Sequence, residues 1–401
     1  MTSIADGNTC DIATFKRWQV IVAGICALIL TVGLARFAYT PLLPIMRDKA
    51  GLSYLAGGWL ATINYAGYMT GTLVAASISD LHRKFTFYRV GLVVALLSTA
   101  AMGLTTNVFM WGILRFIAGV SSIAGMLLAS GLVLNWLLRH GYQPELGLHF
   151  MGLGLGIAVS GVAVGGLGIW LEWNEQWAML GLLGNLFLLP AWAWLPKPAA
   201  IPATSTNQPR TSAPPGRRWM RLLLASYSCA GFGFAISATF IVAILVKIPL
   251  LAGWGSWAWV IVGLAAAPSC FLWDRVANST GPLRALMVAF GLQTLSIILP
   301  LITDDAFLNI CGALVFGETF VGIVSLTLTL IGRHYPDNPS KAMAKMTLGY
   351  GVAQIVAPAM AGYIAARTGS YHGALIVTAV IMVGGVVLLQ ALVREERMAL
   401  R

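Results

Sequence analysis

The stretch WQVIVAGICALILTVGLARFAYTPLLPIM, Trp18 to Met46, decides the fold. It carries a single charged side chain, Arg36, and outlasts the roughly 20 apolar residues that a helix needs to cross a bilayer. Only helices and closed barrels cross lipid with their backbone satisfied, and this stretch lacks strand-like alternation, so a helix is expected. The pattern recurs along the chain at 55–79, 87–106, 108–138, 146–170 and 176–195, then at 219–246, 253–273, 282–302, 306–332, 343–366 and 371–393. Composition agrees with twelve spans. The chain has 401 residues, 58% apolar and 10% charged, against about 25% charged in a soluble domain. The 25 basic and 14 acidic side chains cannot cover a soluble surface. A soluble enzyme, a nucleic-acid binder and a disordered scaffold are all excluded in favour of an all-α polytopic membrane protein.

Residues 196–218, rich in Pro, Ser, Thr and Arg, separate two groups of six spans and read as a cytoplasmic linker. The expected domains are a six-helix half over 1–195 and a second over 219–401, related as parallel repeats. The net charge of +11 is a topology signal rather than a sign of nucleic acid. With the N-terminus inside, Lys and Arg in inner loops exceed those in outer loops by about five to one, which puts both termini in the cytoplasm. Trp170, Trp173 and Trp177 on one side, and Trp192 and Trp194 on the other, read as interfacial belts. The five cysteines form no CxxC pair, and most lie in apolar segments, so neither a disulfide framework nor a metal site is expected. Residues 1–17 show no signal-peptide pattern, and the first apolar stretch therefore reads as a span.

Three charges sit inside spans, where each costs at least ~2.5–3.5 kcal/mol at the helix centre and needs a compensating reason. Arg36 lies roughly 27 Å into the first span, too deep to reach the inner surface. Tyr39 and Thr40 should share its face as a polar stripe, and Pro41 and Pro44 should distort the helix and free carbonyls nearby. Arg36 thus either faces a cavity and holds an anionic group through its planar fork, or snorkels outward or bonds those carbonyls. Arg115 lies in the fourth span, with a structural bond to neighbouring carbonyls as its plainer reading. Glu318 is the acid placed deepest in a span, ~18 Å into the tenth. It either carries a proton or contacts substrate, or forms a static buried ion pair with an arginine. Asn64, Tyr65 and Tyr68 in the second span, and Tyr350 with Gln354 in the eleventh, read either as hydrogen-bonding cavity residues or as interhelical glue. His149 reads as a solvated boundary residue. No phosphate loop, nucleophile–base pair or metal-spaced cluster is present in the sequence, so no catalytic residue, metal or cofactor is expected.

Corresponding spans also share features: Asp80 to Lys84 follows the second and Asp274-Arg275 the eighth, while Arg115 precedes Gly119 as Glu318 precedes Gly322. These residues resemble the major facilitator superfamily over essentially the whole chain. In that superfamily's loop motif G-x-x-x-D-R/K-x-G-R/K-R/K, Ala76 stands for the glycine, Asp80 for the acid, and Arg83 and Lys84 for the closing bases; Leu81 replaces the first base. Leu114-Arg115-Phe-Ile-Ala-Gly119 is similar to the fourth-helix arginine motif. Gly33-Leu-Ala-Arg36-Phe37-Ala-Tyr39-Thr40-Pro41-Leu-Leu-Pro44 and Gly58-Trp-Leu-Ala-Thr-Ile-Asn64-Tyr65-Ala-Gly67-Tyr68 resemble the YbfB/YjiJ-type branch. The resemblance implies a major facilitator fold, a proton-coupling role for Arg115, and a usually small residue where this chain has Glu318. Gly161-Val162-Ala-Val-Gly165-Gly166 lacks the proline of the superfamily's antiporter pattern, which argues against drug antiport.

The resulting expectation is a proton-coupled secondary transporter for a small organic, anionic solute, in the bacterial inner membrane, working as a monomer among lipids. Arg36, Tyr39, Thr40, Asn64, Tyr65, Tyr68, Arg115, Glu318, Tyr350 and Gln354 would serve substrate or coupling. Asp80, Arg83, Lys84, Asp274 and Arg275 would latch the inner gate. The alternative is a proton-driven efflux antiporter for amphipathic cations, with Glu318 as the cation contact.

Overall fold

The computed structural model describes the backbone of residues 6–143, 146–198, 216–335 and 339–399, and these are almost wholly helical. Most of the 196–218 linker lies outside the described residues. Twelve helical passes are labelled here in chain order. α1 comprises Asp6–Leu28, a π-helical Ile29–Phe37 and Tyr39–Lys49. α2 is Tyr54–Ser77, α3 is Leu81–Leu104, α4 is Val108–Arg139, α5 is Leu146–Leu167 and α6 is Trp173–Ala193. α7 is Arg217–Leu245, and α8 joins Gly255–Ala266 to Ser269–Thr280 across a 45° bend. α9 is Pro282–Ile302, α10 is Ala306–His334, α11 is Pro339–Thr368 and α12 is His372–Ala399.

Ten helices are long and apolar enough to cross a membrane, and the bent α8 makes eleven. α2 is the remaining pass. Its glycines, tyrosines, threonines and Asn64 lower its hydropathy and suit its packing between α4 and α11. Helix starts follow from polar caps in the loops. Ser53 Oγ accepts from the Ala56 amide, Asn107 from Phe109 and Met110, and Asp305 from Leu308, while Glu172 and Glu175 form a capping box on α6.

The first and last six helices meet along α1–α7, α2–α11 and α5–α8. Small residues set the closeness. A Cβ on Gly58 of α2 would collide with the Pro358 carbonyl of α11, and one on Gly154 of α5 would collide with the Ala267 nitrogen of α8. The side carrying the ends of α10 and α12 and the start of α7 is called here the termini side. Arg218 pairs with Glu395 there at 3.4 Å, and the Trp219 and His334 rings stack at 4.7 Å. On the far side, Tyr54 donates to the Gly369 carbonyl at 2.7 Å and meets Tyr371 edge-on at 5.2 Å. The Arg47 guanidinium lies 3.3 Å from the Tyr54 ring centroid. Thr62 of α2 donates to the Ile355 carbonyl of α11, which extends this far-side seam toward the centre.

Gly58→Val should therefore prise the seam apart. Labelling of an introduced Thr62→Cys by an impermeant thiol reagent from the far side should rise several-fold; unchanged labelling would show that the seam does not depend on this contact.

Two sequence readings are corrected. Trp177 is not interfacial: it is fully buried and donates to the Met46 sulfur at 3.4 Å, whereas Trp170 is 84% exposed. His149 is not solvated. It is 0% exposed, with Nε2 2.8 Å from Ser130 Oγ, and the Ser130 hydroxyl donates to the Met126 carbonyl. The Ser130 oxygen can then only accept from the histidine, which places the ring proton on Nε2.

Candidate functional site

α1 does not continue as a regular α-helix past Leu28. Ile29–Phe37 is π-helical, and the helix breaks at Ala38 before resuming at Tyr39. Pro41 lacks the amide that would bind the Phe37 carbonyl, so the carbonyls around the break need other donors. Arg115 of α4 supplies two of them: its two terminal nitrogens donate to the Ala35 and Arg36 carbonyls, each at 3.1 Å. It is therefore Arg115, not Arg36, that bonds carbonyls of α1 here. Asn64 of α2 donates in turn to the Arg115 carbonyl at 2.7 Å, which makes it interhelical glue in this structure.

Arg115→Lys should test this clamp. One ammonium cannot span two carbonyls as the fork does. A loss of about 1–3 kcal/mol follows, visible as a fall of several degrees in the thermal midpoint of detergent-solubilised protein. An unchanged midpoint would show the clamp to be energetically idle.

The break also changes which side chains share a face. Tyr39 and Thr40 open the α-helical segment that follows the π-helical one, and their hydroxyls turn to other partners. The expected polar stripe does not form. Tyr39 donates to the Gly57 carbonyl at 2.9 Å, and Thr40 to the Ala238 carbonyl of α7. Both are buried at helix contacts, and the Thr40 bond joins α1 to α7.

Arg36 itself is 6% exposed. Among the described residues it makes no ion pair and no hydrogen bond to protein, and its Nε is buried without a partner. Its guanidinium instead rests on rings, 4.5 Å from the centroid of Tyr68, 4.7 Å from Tyr65 and 5.4 Å from Phe37. Ring quadrupoles attract a desolvated cation by ~2 kcal/mol or more without consuming its N–H donors. Phe234 of α7 extends the aromatic wall, 6.4 Å from both Phe37 and Tyr65 and 6.1 Å from Tyr350 of α11. Tyr227 stacks on Tyr350 at 4.6 Å. Gln354, one turn beyond Tyr350, is buried too. Three rings of α1 and α2 thus rest against the guanidinium, and Phe234, Tyr350 and Tyr227 of α7 and α11 continue the aromatic cluster from them. The sequence reading missed Tyr227 and Phe234; their signal was a seven-residue spacing, which puts two aromatics on one helical face.

Glu318 lies elsewhere, at the contact of α10 with the bend of α8. Its carbonyl accepts from the Ser269 hydroxyl and from Trp273 Nε1 at 2.8 Å. The side chain is half-buried and makes no ion pair among the described residues. The static pair with an arginine is therefore absent, and neither Arg36 nor Arg115 holds Glu318.

Nor do the five expected gate residues meet across the two groups of helices. Asp80 caps α3 by accepting from the His82 and Arg83 amides, and its 3.9 Å contact with Arg83 is exposed. Lys84 lines a cleft of about 610 Å³ with Leu81, Leu132 and Leu138. Asp274 and Arg275 are exposed on α8.

Twelve helical passes in two groups of six, packed around a buried cation, have the architecture of the major facilitator class of transporters, which are not enzymes in general. The chain belongs to the family described as "Uncharacterised MFS-type transporter YbfB", which it matches over residues 28–390. Among curated proteins it is 28% identical to the uncharacterized MFS-type transporter YceJ of Bacillus subtilis over 171 residues, 41% of this chain and 42% of that one. It is 33% identical to the MFS-type transporter hepF of Aspergillus oryzae over 128 residues, 31% of this chain and 26% of that one. The matched region thus spans less than half the length of these relatives. Among solved structures, the nucleoside transporter NupG superposes with a TM-score of 0.71 at 15% identity, over 94% of this chain and 98% of that one. A bacterial homolog of the human lysosomal transporter Spinster, inward-facing and unoccupied, gives 0.68 at 14% identity, over 94% and 97%. These likenesses are of fold.

Proposed function

We propose that the protein is a proton-coupled secondary transporter of small organic anions, working by alternating access between two six-helix halves in the bacterial inner membrane, with both termini cytoplasmic. One observation carries the reading: Arg36 is a buried cation, held by aromatic faces, whose N–H donors are unspent and which no acid neutralises. An anionic group is the partner that a guanidinium fork fits bidentately. Arg115 acts as a positioning residue that fixes the Arg36 backbone. Glu318 carries the coupling proton. Lacking a basic partner, it can gain and lose a proton as its surroundings change, and its backbone is stitched to the bend of α8, so a change there reaches the contact between helices. Substrate and proton shift the equilibrium only by binding the two states unequally. Asp80, Arg83, Lys84, Asp274 and Arg275 meet across the termini side in the state opposite to this one.

The unpaired Glu318 also favours a second reading, efflux of amphipathic cations. Purified protein in proteoliposomes separates the two. Accumulation of small organic acids that collapses with a protonophore supports the proposal. Cation extrusion that is lost in Glu318→Gln establishes the second reading, and ligand binding without flux would overturn transport altogether.

A further inference from the structure

Resting on the anion reading, we infer that the preferred substrate is an aryl carboxylate, with its carboxylate on Arg36 and its ring in the aromatic box formed by Tyr65, Tyr68, Tyr227, Phe234 and Tyr350.

The argument begins with what surrounds the charge. A cation that binds aliphatic anions needs hydrogen-bonding neighbours, and aliphatic side chains would suffice for the rest of the wall. Here the guanidinium is flanked by the faces of Tyr65 and Tyr68, three residues apart on α2, and the next layer is aromatic as well. Phe234 lies 6.4 Å from Tyr65 and 6.1 Å from Tyr350, so the Tyr227–Tyr350 pair continues the aromatic cluster that begins at the charge. The rings come from both groups of six helices: Tyr65 and Tyr68 from α2, Tyr227 and Phe234 from α7, and Tyr350 from α11.

A planar substrate ring suits this box for two reasons. It can enter beside Tyr227 or Tyr350 and replace ring–ring contacts by equivalent ones, where an aliphatic chain would forfeit them. Offset or edge-on aromatic pairs contribute about 0.5–1.5 kcal/mol beyond area burial. The carboxylate of an aryl acid also lies in or near the ring plane, which lets it reach the N–H donors of a guanidinium that rests over the Tyr65 and Tyr68 rings. Charge is matched at the N–H donors and π surface at the rings.

The test is binding to the purified full-length protein in detergent at pH 8, where the acids are ionised. The probes are benzoate, cyclohexanecarboxylate and benzamide: ring and charge, charge without an aromatic ring, and ring without charge. Benzoate should bind about tenfold more tightly than cyclohexanecarboxylate, the ratio that ~1.4 kcal/mol gives, and benzamide should not compete. Tyr227→Phe should keep that ratio. Tyr227→Leu should bring it close to one, and Tyr350→Phe against Tyr350→Leu repeats the comparison should the first leucine variant not fold. Equal affinity for the two carboxylates overturns the aryl assignment and leaves the anion reading standing. Binding of benzamide as tight as benzoate, or of neither carboxylate, overturns both.

Discussion

Arg36→Gln abolishes anion uptake while leaving the protein at least as stable as the wild type. The two halves of this result come from one fact, the burial of an unneutralised guanidinium. Losing one partner of a desolvated, hydrogen-bonded charge pair costs about 2–5 kcal/mol or more, so uptake in proteoliposomes should fall on the order of a hundredfold. In the absence of an anion, however, the charge is a cost, and a neutral amide of similar reach relieves it. The thermal midpoint should hold or rise. Arg36→Lys should fall between, because it keeps the charge but loses the planar fork and the stacking on Tyr65 and Tyr68. A glutamine variant that is strongly destabilised, with the surviving protein transporting normally, would assign Arg36 to structure instead.

Glu318→Gln uncouples transport from the proton gradient. The substitution is nearly isosteric, and the contacts that tie this position to Ser269 and Trp273 run through the backbone carbonyl, so they survive it. What the variant loses is the capacity to bind and release a proton. Exchange of labelled against unlabelled substrate should persist, while accumulation driven by an imposed pH gradient should drop to the level of passive equilibration. Full gradient-driven accumulation in the variant would refute the coupling role. Loss of exchange as well would point to Glu318 as a substrate contact and favour the cation reading.

How much of this could be read in the sequence depends on whether local or long-range geometry decides it. The helices were legible because each apolar run stands alone: boundaries such as 282–302 and 108–138 fall within a residue of Pro282–Ile302 and Val108–Arg139. The importance of Arg36 was legible from the cost of burying it. Its neighbours were not. The i+3 and i+4 rule put Tyr39 and Thr40 with Arg36, but their hydroxyls bond carbonyls of neighbouring helices that the rule cannot see. Tyr65, Tyr68 and Tyr350 were identified as polar groups, yet the helices that bring them around Arg36 are separate from α1 in sequence, and α11 lies in the other half of the chain. Whether Arg115 would serve the substrate or the backbone was equally a question of what lies opposite it. Glu318 shows the same limit, since nothing in its own span reveals that no arginine faces it.

The winding of α1 has a mechanical consequence. Its counterpart in chain order, α7, is an unbroken α-helix of 29 residues, Arg217–Leu245. The two are joined by the bond from Thr40 to the Ala238 carbonyl, on the far-side segment of α1 beyond the break. A stiff rod is therefore yoked to a spring. Under alternating access, a load on this joint would meet the π-helical stretch on the α1 side, where the Arg115 bonds to the Ala35 and Arg36 carbonyls resist it. The Arg115 clamp would then decide how far movement at that joint reaches the charge.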